Sequence, residues 1–232
     1  MKERSEKIVR IKEFLKQVPL FAGLENEEID LIYQVSRVLH YPSNTLILGE
    51  DEPGDKLYII LTGTVKIVLW GEEGQEIILS VLKQGEFFGE MSLLDEEPRS
   101  ANVVTLEDTE TVVLQRKDFT AQMKNHPTLL LKVTRELCRR LRNANKKIGN
   151  LAFLTVYGRV AQLLMQLASS QGIMTKHGVL IPNMPTHREI AANLGSSREA
   201  VSRVLGDMKK RGQISTLGRQ LILHEKLMDS LD

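Results

Sequence analysis

Between residues 85 and 104 the chain reads GEFFGEMSLLDEEPRSANVV. Gly85 and Gly89 are each followed by a glutamate, and Arg99-Ser100 comes ten residues after Gly89-Glu90. The runs on either side alternate as apolar strands do, so the interruption has a purpose. It is either a decorated turn or a cradle for an anion.

A second constellation lies at 186–214, THREIAANLGSSREAVSRVLGDMKKRGQI. Thr186 and Glu189 form a capping box that starts one helix, with Ile190 and Leu194 on its apolar face. Ala191 is small where a second helix must cross, and Gly195 gives the backbone freedom for a sharp turn. Ser196 or Ser197 caps the next helix, which Val201, Val204 and Leu205 anchor. These offsets are those of a helix-turn-helix, with QISTLGRQLILH following as a hairpin wing that turns at Gly218. With its inner face anchored, the second helix presents Ser197, Arg198, Glu199, Ser202 and Arg203 outward. Arginine suits guanine O6 and N7, and glutamate can accept from cytosine N4, so the segment points to double-stranded DNA.

The elements that must position these residues follow from periodicity. Roughly residues 20 to 120 hold short Ile/Leu/Val/Tyr runs punctuated by Pro53-Gly54, Gly63 and Gly71 to Gly74. Short strands at 8 to 12-residue spacing predict an antiparallel sandwich or jelly roll. ANVVTLEDTETVVLQR reads as a hairpin around Glu107-Asp108. At the N-terminus, Ile8, Ile11, Phe14, Leu15 and Val18 predict a surface helix. From 127 the period changes: Leu130, Thr134, Leu137, Leu141, Ala144, Ile148 and Leu151 recur in alternating steps of four and three. That is an a/d seam, suited to a helix that pairs with a second copy of itself or packs on its own sheet. Thr155 caps the following helix, which carries Val160, Leu163, Leu164 and Leu167.

Charge is divided along the chain. Residues 1–125 hold 14 Lys+Arg against 23 Asp+Glu, 126–152 hold seven against one, and 153–232 hold ten against six. An acidic front and a basic back place a polyanion at the C-terminal part. A single cysteine, Cys138, excludes an internal disulfide, and the five histidines lack metal-ligand spacing. No nucleophile triad or nucleotide-hydrolysis motif occurs, which argues against an enzyme, and no apolar run is long enough for a membrane helix. A reducing cytoplasm fits this composition.

Taken together, Gly85-Glu86, Gly89-Glu90, Arg99-Ser100-Ala101, KKIGNLAFLTVYGRVAQLL and GSSREAVSRVL resemble the bacterial cyclic-AMP receptor protein (catabolite activator protein) family of transcription regulators, over essentially the whole chain. That family's protein is also a standard illustration of helix-turn-helix docking and DNA bending. The resemblance implies an α+β fold: a cyclic-nucleotide-binding β-roll with an N-terminal helix at 1–125, a dimerisation helix at 126–152 and a winged helix-turn-helix at 153–232. It implies a nucleotide site of Gly89, Glu90, Met91, Ser92, Arg99, Ser100, Ala101, Arg140 and Asn145. Arg99 and Ser100 would meet the phosphate, Gly89 would allow close approach, and Glu90 would accept from the ribose 2′-hydroxyl, its charge compensated by Arg99. The DNA set would be His187, Arg188, Ser197, Arg198, Glu199, Ser202 and Arg203, reading TGTGA half-sites, with RNA polymerase as a further partner. Where the family has a Thr-Ser pair against adenine, this chain has Ala144-Asn145. Cyclic AMP is the expected effector, cyclic GMP its rival, and a nucleotide-independent repressor the alternative of another class.

Overall fold

The computed structural model describes residues 2–72 and 75–228, so Glu73 and Gly74 of the expected Gly71-to-Gly74 turn lie outside the described residues. In chain order the elements are α1 (Lys2–Gln17), α2 (Asn26–Val35), β1 (Arg37–Tyr41), β2 (Leu46–Leu48), β3 (Lys56–Thr62), β4 (Thr64–Trp70), β5 (Glu76–Lys83), β6 (Phe87–Phe88) and α3 (Met91–Asp95). They continue with β7 (Asn102–Thr105), β8 (Thr109–Gln115), α4 (Arg116–Asn125), α5 (Pro127–Phe153) and α6 (Val156–Gln171). The last are β9 (Ile173–Thr175), β10 (Gly178–Ile181), α7 (His187–Leu194), α8 (Arg198–Lys210), β11 (Ile214–Leu217), β12 (Gln220–Leu223) and α9 (Glu225–Met228). Two compact units result: one runs to Trp70 and includes Leu79–Arg142, the other combines Gly71–Ile78 with the chain from Asn143 onward.

Two antiparallel sheets, ordered β1-β8-β3-β6 and β2-β7-β4-β5, form the roll. Strand β3 explains the layering. Its even-numbered Tyr58 and Ile60 pack with Val65 and Val103 of the second sheet, while Leu57, Ile59 and Leu61 face the other way. Those odd positions join Ile11 and Leu15 of α1, Ile29 and Ile32 of α2, Phe119 of α4, and Leu129 and Val133 of α5 in a helical layer. Because alternate side chains point to opposite faces, a strand buried on both sides reads as a continuous apolar run.

Two expectations are corrected here. ANVVTLEDTETVVLQR is not a hairpin: β7 pairs with β2 and β4, whereas β8 pairs with β1 and β3 in the other sheet. The Leu106 amide donates to the Thr64 carbonyl at 2.8 Å, so the chain crosses between layers instead of folding back on itself. Residues 20 to 35 are also not strand. Glu25 and Glu28 make a capping box for α2, with Ile29 and Ile32 as its buried face.

In the second unit Val160, Ala161 and Leu164 of α6 pack with Ile190 and Ala191 of α7 and with Val201, Leu205 and Met208 of α8. Four strands in the order β11-β12-β10-β9 close this core, the expected Gly218 wing being β11-β12. The β9-β10 hairpin, which pairs with β12, has no counterpart in the reading of the sequence. Throughout, the described helices include none long and apolar enough to cross a membrane.

Candidate functional site: an arginine cradle and a helix-turn-helix

In the cradle, Gly89 ends β6 in the left-handed region at φ +80, which an L side chain rarely adopts. A Cβ there would stand 2.8 Å from Arg99 Nη1 and 2.9 Å from the Lys56 carbonyl oxygen. One at Gly54 would stand 2.3 Å from Arg99 Nε. The guanidinium therefore lies against both glycines: a side chain at Gly54 would have to displace it, and at Gly89 the backbone conformation and the Lys56 carbonyl exclude one as well. Its Nη1 donates to the Gly89 carbonyl at 2.7 Å and its Nη2 to the Lys56 carbonyl at 2.9 Å. Nε is buried with no acceptor, on a side chain that is 5% exposed. Burial pulls the Arg99 pKa below its ordinary value, against the opposing fields of Tyr58, Asp55 and Glu90.

Glu90 stands at the N-terminal boundary of α3, without a capping hydrogen bond from its side chain, and is 2% exposed. Its ion-pair partner is Arg140 of α5, at 2.9 Å from Nη1, and not Arg99 as the sequence reading had it. The reason is that two backbone carbonyls already hold Arg99. Burial pushes the Glu90 carboxyl above its ordinary range, with Arg140 opposing. Arg140 also donates from Nε to Glu136 at 2.8 Å and from Nη2 to the Phe87 carbonyl at 2.6 Å. Its guanidinium sits 5.0 Å over the Phe87 ring. Ser100 is exposed, its hydroxyl 3.4 Å from the Met91 sulfur. Ser92 and Ala101 are buried, and the Ser92 carbonyl accepts from Arg116 Nη2 at 2.9 Å. Gly89, Glu90, Met91, Ser92, Arg99, Ser100, Ala101 and Arg140 thus belong to the first compact unit. Asn145, by contrast, is exposed on the part of α5 that belongs to the second.

Sequence reasoning missed Gly54, Lys56, Arg116 and Glu136. Pro53-Gly54 carried a signal, but it reads as turn punctuation until Arg99 is seen lying on it.

A buried arginine with an unmatched N–H, between two glycines and beside a buried carboxylate, fits a ligand that presents an anion near a hydroxyl.

The second site is built on capped helices. Thr186 Oγ1 accepts from the Glu189 amide at 3.2 Å, and Glu189 accepts from the Thr186 amide at 2.6 Å. Gly195 ends α7 at φ 57, and Ser197 Oγ accepts from the Ala200 amide at 3.1 Å to start α8. With Val201, Leu205 and Met208 buried, Arg198, Glu199, Ser202 and Arg203 are exposed on α8. His187 and Arg188 are exposed at the start of α7, and His187 Nδ1 is 3.1 Å from Ser202 Oγ. These residues form one polar surface across the two helices.

Such a molecule is a β-roll holding a buried arginine beside a buried glutamate, joined through one long helix to a winged helix-turn-helix. Known proteins share both halves. Residues 38–126 match the cyclic nucleotide-binding domain family, and residues 158–228 match the Crp-like helix-turn-helix domain family. The chain is 32% identical to the CRP-like cAMP-activated global transcriptional regulator of Mycobacterium tuberculosis, over 92% of this chain and 95% of that one. It is 38% identical to the cyclic AMP receptor protein of Thermus thermophilus, over 86% and 89% respectively. The crystal structure of Thermus thermophilus catabolite activator protein superposes with a TM-score of 0.53 at 35% identity, covering 92% of this chain and all of that one (100%). The chain belongs to the CRP/FNR family of transcription regulators, and it is not an enzyme.

Proposed function

We propose that the protein is a homodimeric transcription factor whose binding to a palindromic, TGTGA-like operator is controlled by cyclic AMP. Residues 1–125 sense the nucleotide, 126–152 dimerise and 153–232 bind DNA in the cytoplasm, where RNA polymerase is the further partner. The observation that carries this reading is the buried, unmatched Nε of Arg99, whose guanidinium lies between Gly54 and Gly89. It suits the cyclic phosphate. Ser100 adds a hydroxyl donor, and Glu90 accepts from the ribose 2′-hydroxyl while remaining paired with Arg140. Arg140 sits on α5, so filling the cradle bears directly on the helix that also carries the seam. Ligand then acts by population shift, favouring the arrangement that places two recognition helices in successive major grooves. Asn145 of α5 supplies a base contact in place of the family's hydroxyl pair. Its carbonyl accepts from the adenine amino group, and its amide serves a guanine O6 equally well, which keeps cyclic GMP as the rival effector.

Calorimetric titration of the purified protein with cyclic AMP and with cyclic GMP tests the reading. Tighter binding of cyclic AMP, together with ligand-dependent operator affinity, is expected. Operator binding unaffected by either nucleotide would establish instead the nucleotide-independent repressor.

A further inference from the structure

Helix α5 passes into α6 through only Leu154 and Thr155. Helices joined so closely normally meet through apolar side chains, because the short loop forces contact. Here Leu151 and Leu163 share the space between them with a majority of polar side chains. On α5, Asn143, Lys146, Lys147 and Asn150 recur at the spacing of one helix face, and Arg159, Gln162 and Gln166 do the same on α6. With the end of α7 they enclose a cleft of about 320 Å³. Small-molecule pockets run from ~300 to 1,000 Å³.

The lining has a donor surplus and, among the described residues, no carboxylate. Arg159 Nη1 donates to the Leu151 carbonyl at 3.2 Å, while its Nε is buried without an acceptor. Lys147 is half-buried, donates to the Ile78 carbonyl, and burial pulls its pKa below the ordinary 10.5. Lys146 is exposed and has no acceptor among the described residues. Asn150 Nδ2 donates to Gln162 Oε1 at 2.8 Å, which ties the walls together and frees the Asn150 oxygen and the Gln162 amide for a ligand. An apolar occupant would strip these groups of water without compensation, and a cation would be repelled. Three cations match a phosphate dianion, and the free carboxamide groups match hydroxyls.

We propose that the cleft between α5 and α6 is a second effector site, for a small hydroxylated organic phosphate. It lies outside the Arg99 cradle and shares no residue with it. A phosphate held by both α5 and α6 restrains the joint between the long helix and the DNA-binding segment, and so tunes operator affinity.

Calorimetry on the full-length protein, with and without saturating cyclic AMP, tests this with inorganic phosphate, glycerol 3-phosphate and glucose 6-phosphate, and with glucose as neutral control. The phosphates are expected to bind with Kd of ~10 mM or tighter, and glucose not to bind. Lys146→Glu and Gln162→Glu should each weaken phosphate binding at least tenfold, with the melting temperature and cyclic AMP affinity unchanged. No phosphate binding, or binding insensitive to both variants, overturns the proposal. So does a Lys146→Glu protein whose operator binding loses about one unit of salt slope, since the face would then be a DNA-backbone contact.

Discussion

Arg99 and Glu90 are neighbours with separate supports, and this decides what each substitution does. Arg99→Leu removes the only donors that reach the Gly89 and Lys56 carbonyls from that side chain, yet it leaves the Glu90–Arg140 pair in place. Charge-assisted hydrogen bonds contribute ~1.5–3 kcal/mol each, so losing the one that Nε would give the phosphate should lower cyclic AMP affinity by roughly ten- to a hundredfold. Calorimetry reads this, and affinity within threefold of wild type would remove the nucleotide from this cradle. Arg99→Lys should fail almost as badly, because a point ammonium cannot span two carbonyls and an anion. Glu90 gives a pH signature. Its folded pKa lies above the ordinary 4.5 because burial disfavours its charge. The folded state therefore holds that proton more tightly than the unfolded chain. The associated stability is fully present below about pH 4.5 and is lost as pH rises through the raised folded value. Urea unfolding of wild type and Glu90→Gln across this window should show the wild-type advantage shrinking as pH rises. A constant difference would contradict the direction of the shift.

At the level of elements, α7 and α8 depend on their caps and on one turn. Thr186→Ala removes the hydroxyl that accepts from the Glu189 amide and donates to the Glu189 carboxylate, leaving the backbone half of the capping box, and should cost ~1 kcal/mol of stability in the DNA-binding segment. Gly195→Ala meets two obstacles, a left-handed backbone and a Cβ only 3.1 Å from Leu151 Cδ2. Thermal melts should therefore rank it below Thr186→Ala. Arg203, exposed on a helix whose other face is buried, should act on sequence and not on folding. Arg203→Ala is expected to leave melting unchanged and to cost ~1–3 kcal/mol of operator discrimination at one base pair. Site selection from random DNA reads it, and an unchanged consensus would place the arginine on phosphate instead.

For the molecule as a whole the decisive question is the seam on α5. In the single chain Leu141 is 62% exposed and Ile148 is 63% exposed, while Leu129 and Val133 on another face are buried against the roll. Leaving two large aliphatics in water on one stripe forfeits ~1.5–3 kcal/mol each, which pairing with a second copy recovers. If the proposed dimer forms through this seam, Leu141→Glu combined with Ile148→Lys should convert it to monomer in sedimentation. It should also abolish tight binding to a palindrome while each half keeps its fold. A variant that still sediments as a dimer would place the interface elsewhere.

Much of this was legible in the chain itself, for a reason that differs between the two sites. A capped helix-turn-helix is local: Thr186, Glu189, Gly195, Ser197 and Val201 act within a few residues, so spacing alone defines the caps, the turn and the outward face. The seven-residue rhythm of α5 is equally local, as is the amphipathic N-terminal helix. The cradle is not. That Gly54 and Lys56 meet Arg99, and that Arg140 takes Glu90, depends on contacts 43 to 50 residues apart along the chain. No periodicity records such contacts. The same holds for β7 and β8, whose sequence suits a hairpin and whose partners lie in separate sheets. Alternating apolar residues specify that a strand has two faces, but which strand it pairs with is settled by the packing of the two layers. The motif residues and the class of protein were thus determined by the sequence. The guanidinium's carbonyl partners, the carboxylate's true counter-ion and the polar cleft between α5 and α6 were decided only by the tertiary structure, because burial and long-range hydrogen bonding choose among partners that a sequence leaves equivalent.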